Sequence, residues 1–292
     1  MSKIQKIPQE IKMVGFDNDN TLTDQLEPQV AAMEEMTAEL EELTGISATE
    51  IRGSIARVFE KHGTTDYHRV FQEMYCFSKM SEQVRDELVE IGKSIFKKVR
   101  DRYRPSYDGI PEVLKALNEH GIKSFVFSNA PIYQVLRRIK RTQLGHNFKL
   151  ILGLRDEIAE VFPKLVKVQT ALGQYNGKYE WRVVETPKPH ANLAEMLGVT
   201  PEEVQNHVAF VGDSYTNDMG LAAHNKCVGF HALYGSVDPW VRHRLRRFST
   251  DRMEAQFHGN GESKKSIAEK TSVYELDRPG DLLKYLGIQK SK

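Results

Sequence analysis

The chain has 292 residues, which allows one large domain or a domain that carries a second one. Its 41 Lys and Arg residues nearly balance its 40 Asp and Glu residues. The resulting net charge of +1 argues against a surface built as a whole to bind nucleic acid or an anionic membrane. No apolar run reaches the ~18–20 residues that cross a bilayer, and we expect no signal peptide at the start. With Cys76 and Cys227 as the only cysteines, a disulfide framework is excluded and a cytoplasmic protein is expected.

The first predicted strand is the apolar run Lys12–Phe16, which stops at the polar cluster Asp17–Thr21. Apolar side chains then recur at helical spacing through residues 24–105, and this predicts an all-helical domain. Ser47 and Glu50 form a capping-box pattern at one of its helix starts. The four predicted helical segments are Pro28–Leu43, Ser47–Gly63, Tyr67–Lys79 and Val84–Val99.

From Gly109 onward, predicted strands alternate with predicted helices. This order is typical of an α/β fold, a doubly wound parallel sheet with helices on both faces. We assign residues 11–23 and 106–287 to this α/β core, residues 155–185 and 250–271 to insertions within it, and a hairpin turn to 174–179. The further predicted strands are Lys123–Phe127, Lys149–Leu152, Val208–Val211, Cys227–Phe230 and Tyr274–Leu276.

Polar residues of distinctive types follow three of these strands, and Lys188 precedes a predicted helix. In open parallel sheets, ligands bind beyond the carboxyl ends of the strands, so these residues are expected to meet at one site. In chain order they are Asp17 and Asp19, then Ser128 and Asn129, then Asp213 and Asp218.

These residue types predict phosphoryl-transfer chemistry. Four carboxylates near one point repel one another and need a cation, and Mg²⁺ fits because it binds carboxylates, waters and phosphate oxygens. A carboxylate can attack phosphorus and form an aspartyl-phosphate. Asp17 would be nucleophile and metal ligand, and Asp19 would be general acid and then general base. Ser128 would hold phosphate oxygens, and Lys188 would neutralise their charge.

Each feature alone has a simpler explanation. An Asp-x-Asp pair can be a turn, Ser128 and Asn129 can cap a helix, and Lys188 can be a surface lysine. All of them occur in order, each in a strand–loop–helix context, and this combination favours a catalytic site.

Four segments resemble the motifs of the haloacid dehalogenase superfamily of phosphohydrolases. They are Phe16–Leu22, Phe127–Asn129, Lys188–Pro189 and Gly212–Asp218. The stretch Tyr107–Pro111 is similar to the family's segment before its second motif. The resemblance covers residues 11–235 and extends to 272–287.

The resemblance implies Asp17 as nucleophile, Asp19 as acid and base, Lys188 as charge anchor, and Ser128 with Asn129 as phosphate ligands. It implies Mg²⁺ on Asp17, the Asp19 backbone carbonyl and Asp213, with Asp218 in support. Residues 24–105 would be a helical cap, as in phosphoglycolate phosphatase-like members. Dehalogenating members lack an acid at the position of Asp19, so phosphate chemistry is favoured.

Two positions depart from the family pattern. Asn20 stands where a glycine is common, but asparagine tolerates positive φ better than most residues. The interval from Ser128 to Lys188 is long, and Lys164 competes for the role of the third motif. Lys188 is the better candidate, because Pro189 and a predicted helix follow it directly.

Acidic and basic residues are unevenly distributed along the chain, although the net charge is only +1. Residues 31–50 carry six Glu and no Lys or Arg. Two basic clusters are either docking patches for a polyanion or solvated helix faces, and the second reading is favoured. The clusters are Arg242, Arg244, Arg246, Arg247 and Arg252, and Arg137, Arg138, Lys140 and Arg141. The candidates in the helical domain for recognising the leaving group are Arg52, Arg57, His62, His68 and Arg69.

The sequence therefore predicts Mg²⁺-dependent hydrolysis of a small phosphorylated metabolite through an aspartyl-phosphate. Three alternatives stay open: a phosphotransferase such as a sugar-phosphate mutase, a nucleic-acid end phosphatase, and a non-catalytic interaction protein that keeps the fold. No membrane partner is expected, a nucleic-acid partner is disfavoured, and the oligomeric state is open.

Overall fold

The computed structural model describes residues 6–63, 65, 67, 69–103, 106–155, 180–250 and 264–289. The chain forms two compact units. Of the described residues, the first unit contains 6–24, 106–236 and 264–289, and the second contains those between 25 and 103 together with 237–250.

The first unit is built on a parallel sheet. Its strands are β1 Met13–Phe16, β2 Lys123–Pro131, β3 Phe148–Leu154, β4 Glu180–Val184, β5 Val208–Gly212, β6 Val228–Ala232 and β7 Val273–Leu276. Their order across the sheet is β4-β3-β2-β1-β5-β6-β7, and every neighbouring pair is parallel. From β1 the chain builds one half of the sheet through β2 and the other half through β5, so the ends of these three strands meet at the switch point.

The α-helices of the described residues belong to both units. In chain order they are α1 Leu26–Thr44, α2 Ala48–His62, α3 Glu82–Arg100, α4 Ile110–Glu119, α5 Ile132–Thr142, α6 Leu193–Leu197, α7 Pro201–His207, α8 Gly220–His224, α9 Pro239–Leu245, α10 Lys264–Lys270 and α11 Asp281–Tyr285. Within the described residues, no helix is both long enough and apolar enough to cross a bilayer.

The sheet is covered on both faces, and the strands alternate between two cores. Val126 and Val211 belong to one core, with side chains of α4, α5 and α11. Phe125, Phe127 and Phe210 belong to the other, with side chains of α6, α7 and α8. Successive residues of a strand point to opposite faces, so fully apolar strands bury both sides. The predicted doubly wound α/β fold is confirmed.

The second unit is all-helical and has its own core. Met33, Met36, Ile55 and Phe59 pack within it, and so does Phe248 from the far end of the sequence. The sequence analysis assigned residues 106–287 to the α/β core, but residues 237–250 pack with the helical unit. The cause is contact between residues far apart in the sequence: Phe248 packs in the core of the helical unit, and Arg244 forms ion pairs with α1.

The segment Tyr67–Lys79, predicted as one helix, is instead two short 3₁₀ turns, Val70–Glu73 and Tyr75–Phe77. Met74 between them has an extended backbone, and its side chain is buried in the core. Burial of this side chain therefore accompanies the break in helical geometry. The Cys76 N–H then donates to Ser54 Oγ at 3.3 Å, which satisfies a backbone group that a helix would have bonded internally.

The two predicted insertions each contribute a regular element. Residues 180–184 form the edge strand β4, whose Glu-Trp-Arg-Val-Val sequence is mostly exposed and lacks the apolar run that predicts a buried strand. Residues 264–270 form α10, which buries Ile267. The predicted hairpin turn at 174–179 lies outside the described residues, as do Lys164, His68 and Arg252.

Candidate active site

The loop after β1 brings Asp17 to the sheet's switch point. The Asp17 N–H donates to the Val211 carbonyl at 2.8 Å, so the sheet continues to this residue, and its side chain is buried. The Asn18 carbonyl then accepts from the N–H groups of Leu22 at 3.1 Å and Thr23 at 3.0 Å, which closes a tight turn. Asn20 has a φ of 55°, the left-handed conformation expected where the family pattern favours glycine.

Lys188 joins two of the predicted acids. Its Nζ lies 2.6 Å from Asp17 Oδ1 and 2.6 Å from Asp218 Oδ1, and all three side chains are buried. Burial lowers the pKa of Lys188, but the adjacent Asp17 and Asp218 carboxylates outweigh it and hold that pKa above its ordinary value. The ammonium also lies 5.6 Å and 5.4 Å from the ring centres of Phe127 and Phe210. Lys188 is therefore a charged group at the bottom of the site.

Ser128 and Asn129 lie near the carboxyl end of β2, where its pairing with β3 is interrupted, and they have different partners. The Ser128 Oγ accepts from the Ala130 N–H at 3.2 Å, which leaves its hydroxyl hydrogen available to donate to a phosphate oxygen. The side-chain amide of Asn129 is engaged with the backbone of Lys188 through both of its atoms. The Asn129 side chain therefore supports Lys188, and the roles of Ser128 and Asn129 as phosphate ligands stay predictions.

Asp17, Asp213 and Asp218 form an acidic cluster in which one oxygen from each lies within 4.8 Å of the others. Burial raises the pKa of Asp17, Lys188 lowers it and Asp218 raises it again, with a result of about 7. Burial, with Asp218 and Asp17 nearby, also raises the pKa of Asp213 well above its usual range. Three converging hard oxygen donors with unfavourable mutual repulsion fit a Mg²⁺ ion. Of these, Asp218 also accepts from the Ser214 N–H at 2.9 Å, as a supporting residue does.

Two glycines allow these groups to approach. A Cβ on Gly212 would lie 2.2 Å from Asp218 Cγ, so only glycine lets the Asp218 side chain fold back under the end of β5. A Cβ on Gly235 would lie 1.7 Å from the Asn20 carbonyl oxygen and 3.1 Å from Asp213 Cβ. The loop after β6 is thus packed directly against the loop that carries the predicted nucleophile.

The Asp19 carboxylate lies outside the acidic cluster and has its own donors. Asn18 Nδ2 lies 2.7 Å from its Oδ1, and Arg138 Nη1 lies 2.5 Å from its Oδ2. The sequence analysis assigned Arg138 to a basic surface cluster. The available signal was its position in α5: it borders the apolar stripe of Val135 and Ile139, whereas the exposed Arg137 points away from it.

Three aromatic or imidazole side chains near these loops were also not predicted. The Tyr234 hydroxyl donates to the Thr21 carbonyl at 3.1 Å, and the Tyr107 ring packs edge-on against Tyr234. His231 Nε2 lies 3.0 Å from the Asp213 carbonyl oxygen. No motif marks Tyr234 or His231, because each contacts a backbone carbonyl of a distant loop, whereas Tyr107 begins the stretch that resembles the family's segment before its second motif.

In the helical unit, two of the residues predicted to contact the leaving group interact with neighbouring side chains. The Arg57 guanidinium lies 4.5 Å from the centre of the Tyr75 ring, and His62 Nε2 lies 2.9 Å from Glu73 Oε2. Arg244, from the predicted basic patch, donates to Glu27 at 2.8 Å and to Glu34 at 2.7 Å. Part of the patch therefore pairs internally with the acidic helix α1 rather than forming a solvated face.

Comparison with known proteins was made for the sequence and for the fold. No curated protein matches the sequence. An HAD phosphatase from Thermococcus onnurineus is similar in structure at 19% identity and a TM-score of 0.51, covering 96% of this chain and 100% of its own. A putative beta-phosphoglucomutase from Thermotoga maritima has 14% identity and a TM-score of 0.50, with coverages of 95% and 99%.

A haloacid dehalogenase-like family hydrolase from Xanthomonas campestris also has 14% identity and a TM-score of 0.50, with coverages of 93% and 92%. At these identities the likeness concerns the fold. The sequence model of the haloacid dehalogenase-like hydrolase family matches residues 11–225. This range contains Asp17, Ser128, Lys188 and Asp213. The resemblance read from the four motifs is confirmed: the chain belongs to the haloacid dehalogenase-like hydrolase family.

Proposed function

We propose that this protein is a Mg²⁺-dependent phosphatase that hydrolyses a small phosphomonoester through a phospho-aspartate on Asp17. The observation that carries the proposal is the buried contact of Lys188 Nζ with Asp17 Oδ1 at 2.6 Å, beside the Asp213 and Asp218 carboxylates. The Lys188 ammonium lowers the pKa of Asp17 against the effect of burial, so it favours the ionised carboxylate, which is the nucleophilic form.

In the first half-reaction, an oxygen of Asp17 attacks phosphorus and the bond from phosphorus to the leaving oxygen breaks. The leaving oxygen takes a proton from the Asp19 carboxyl, so the alcohol departs neutral. The Ser128 hydroxyl donates to a phosphoryl oxygen, and the Lys188 ammonium offsets the negative charge that gathers at the site. These donors are held in place before the reaction, so little reorganisation is required.

In the second half-reaction, Asp19 takes a proton from water and the water oxygen attacks phosphorus. The bond from phosphorus to the Asp17 oxygen breaks, which releases inorganic phosphate and restores the Asp17 carboxylate. Asp19 has recovered the proton that it donated, so the cycle balances. Mg²⁺, when bound by Asp17 and Asp213 with Asp218 in support and with the Asp19 backbone carbonyl, supplies Lewis-acid neutralisation of the phosphoryl charge.

We further propose that the helical unit is the cap of the enzyme and contains the residues that select the substrate. Its position in the sequence supports this, because most of it is inserted directly after the loop of Asp17 and Asp19. We also propose a cytoplasmic location, because the sequence has only two cysteines and no disulfide framework is expected.

The test is a panel of phosphorylated metabolites with Mg²⁺, in which wild type is compared with Asp17→Asn. We expect turnover of at least one monoester, its loss on chelation of the metal, and its loss in Asp17→Asn without loss of folding. Asp19→Ala should stop phosphate release. Normal turnover by Asp17→Asn would overturn the mechanism, and recovery of an isomerised sugar phosphate instead of free phosphate would identify a mutase.

A further inference from the structure

The Asp19 carboxylate is fixed at both of its oxygens. Asn18 Nδ2 donates to Oδ1 at 2.7 Å, and Arg138 Nη1 donates to Oδ2 at 2.5 Å. The Arg138 side chain is 11% exposed and that of Asp19 is 27% exposed, so the arginine is mostly buried while the carboxylate stays reachable from solvent. One donor on each oxygen fixes both the rotamer and the plane of the carboxyl group.

Asn18 makes this contact at a cost to its own hydrogen bonding. The residue is fully buried, and its Oδ1 has no hydrogen-bond partner within the described part of the chain. A buried acceptor without a partner is destabilising. Reversing the amide would direct its oxygen at the Asp19 carboxylate, which also accepts only. The arrangement is therefore explained by the donor it provides to Asp19, not by stability.

Arg138 reaches Asp19 from α5, the helix that follows the Ser128 end of β2. Its neighbour Arg137 is exposed, and its guanidinium lies 5.5 Å from the centre of the Tyr133 ring. The two arginines carry the same charge on the same helix, and only Arg138 has the contact with Asp19. Arg137 is therefore a matched control for the loss of one positive charge.

We propose that Arg138 and Asn18 are positioning residues that hold the Asp19 carboxyl for proton transfer to the leaving oxygen and from water. This inference rests on the proposed function, in which Asp19 is the acid and base. Transfer requires a donor–acceptor distance of about 2.6–3.2 Å, and a misplacement of about 1 Å can cost about 10²-fold in rate. Both residues act through Asp19, so their loss should lower kcat much more than it changes KM.

The first experiment compares Arg138→Gln with Arg137→Gln on two substrates. For an alkyl monoester from the panel, whose leaving oxygen must be protonated, we expect Arg138→Gln to lower the single-turnover rate of phosphoenzyme formation by about 10–100-fold. For p-nitrophenyl phosphate, whose leaving group departs without a proton, that rate should change by less than about threefold. Arg137→Gln should match wild type on both. Equal losses on the two substrates in Arg138→Gln would overturn the inference.

The second experiment uses Asn18→Leu, which removes both the Nδ2 donor to Asp19 and the buried Oδ1 that has no hydrogen-bond partner among the described residues. We expect kcat for the alkyl ester to fall while the melting temperature stays the same or rises. A parallel fall of both would assign Asn18 a structural role and overturn its part. In the double variant with Arg138→Gln, the two losses should combine to less than their product, because both act on one carboxylate.

Chemical rescue separates positioning from folding damage. Guanidinium added to Arg138→Ala should restore a measurable part of the rate on the alkyl ester, and it should have no effect on Arg137→Ala. Absence of rescue, with Arg138→Gln equal to Arg137→Gln, would overturn this inference while wild-type turnover and an inactive Asp17→Asn leave the proposed function standing. Turnover that persists in Asp17→Asn would overturn both.

Discussion

Asn129 and Lys188 are joined by a reciprocal pair of hydrogen bonds. The Lys188 N–H donates to Asn129 Oδ1 at 2.8 Å, and Asn129 Nδ2 donates to the Lys188 carbonyl at 3.2 Å. The end of β2 thus fixes the backbone of a residue 59 positions further along the chain. The Lys188 ammonium contacts both Asp17 and Asp218. The Asn129 side-chain amide therefore helps to set the position of the lysine relative to these two carboxylates.

Asn129→Ala should therefore reduce catalysis by releasing the Lys188 backbone. We expect kcat to fall by about tenfold or more, with a destabilisation of about 1–3 kcal/mol from the lost hydrogen bonds. The control is Asn147→Ala, which removes a half-buried amide of the same unit whose Nδ2 contacts the Leu144 carbonyl and His146 Nε2, away from the acidic cluster. Steady-state kinetics and urea unfolding would measure both effects. A wild-type kcat in Asn129→Ala would contradict the positioning role.

Lys188→Met should destabilise the protein as well as inactivate it. The change leaves Asp17 and Asp218 buried without their shared cation, and breaking a buried ion pair on one side costs about 3–5 kcal/mol. Adding Asp218→Asn should recover part of that free energy of unfolding while activity stays absent. Urea unfolding of the two single variants and the double variant measures the coupling. Additive losses would show that the charges do not interact.

Stability should respond to pH and Mg²⁺ together. The folded state raises the pKa of Asp17 to about 7 from an ordinary 3.8, so between these values the folded protein holds a proton that the unfolded chain has lost. The free energy of unfolding should therefore fall as pH rises from about 4 to about 7 when no metal is present. Mg²⁺ binds the ionised carboxylates, so its stabilising effect should grow over the same range.

Thermal unfolding at several pH values, with and without Mg²⁺, tests this expectation. Asp17→Asn is the control, because it removes one of the two carboxyls with a raised pKa and should reduce the pH dependence of the metal-free protein, with Asp213 contributing the remainder. A stabilising effect of Mg²⁺ that is equally large at pH 5 and pH 8 would argue against binding at these carboxylates.

Gly235→Ala should be strongly destabilising and should impair catalysis. The added Cβ would lie 1.7 Å from the Asn20 carbonyl oxygen, and this neighbour is backbone that cannot turn aside. The control is Gly53→Ala in the interior of α2, where the nearest atom to a new Cβ is the Tyr75 hydroxyl at 3.5 Å. That variant should stabilise by about 0.5–1 kcal/mol, as glycine-to-alanine changes in helices do. A harmless Gly235→Ala would refute the close packing of the two loops.

Glu73 should make the helical unit sensitive to acid. Partial burial raises its pKa, but hydrogen bonds from His62, Lys61 and Tyr67 outweigh this and lower the pKa to about 2 from an ordinary 4.5. A lowered carboxyl pKa contributes stability that is present above about pH 4.5 and is lost as pH falls toward 2. Glu73→Gln should therefore be less stable at neutral pH, with a difference from wild type that shrinks below pH 4. A constant difference would contradict the expectation.

Local patterns in the sequence were sufficient for the fold class and for most of the site. Fully apolar runs such as Val208–Val211 predict strands buried on both faces, and polar residues directly after them predict the site at the strand ends. Asn20 stands where the family pattern has glycine, and it has the positive φ that asparagine tolerates better than most residues. Motif order was enough to identify the family, because each motif is carried by a few adjacent residues.

Properties that depend on distant partners were not available from these patterns. Burial of Met74 breaks a segment with helical spacing into two turns, and the exposed edge strand Glu180–Val184 carries no apolar run. Residues 237–250 pack with the helical unit because Arg244 pairs with Glu27 and Glu34, more than 200 positions earlier.

The sequence by itself determined which residues are candidates for the chemistry: two acids and a hydroxyl from their place after predicted strands, and a lysine from its place before a predicted helix. Only the tertiary structure decided what holds them. Asn129 fixes Lys188, and Arg138 with Asn18 fixes Asp19, through contacts that join loops far apart in the chain. The physical reason is that orientation is set by hydrogen bonds between whichever side chains the sheet brings together, and periodicity does not encode these partners.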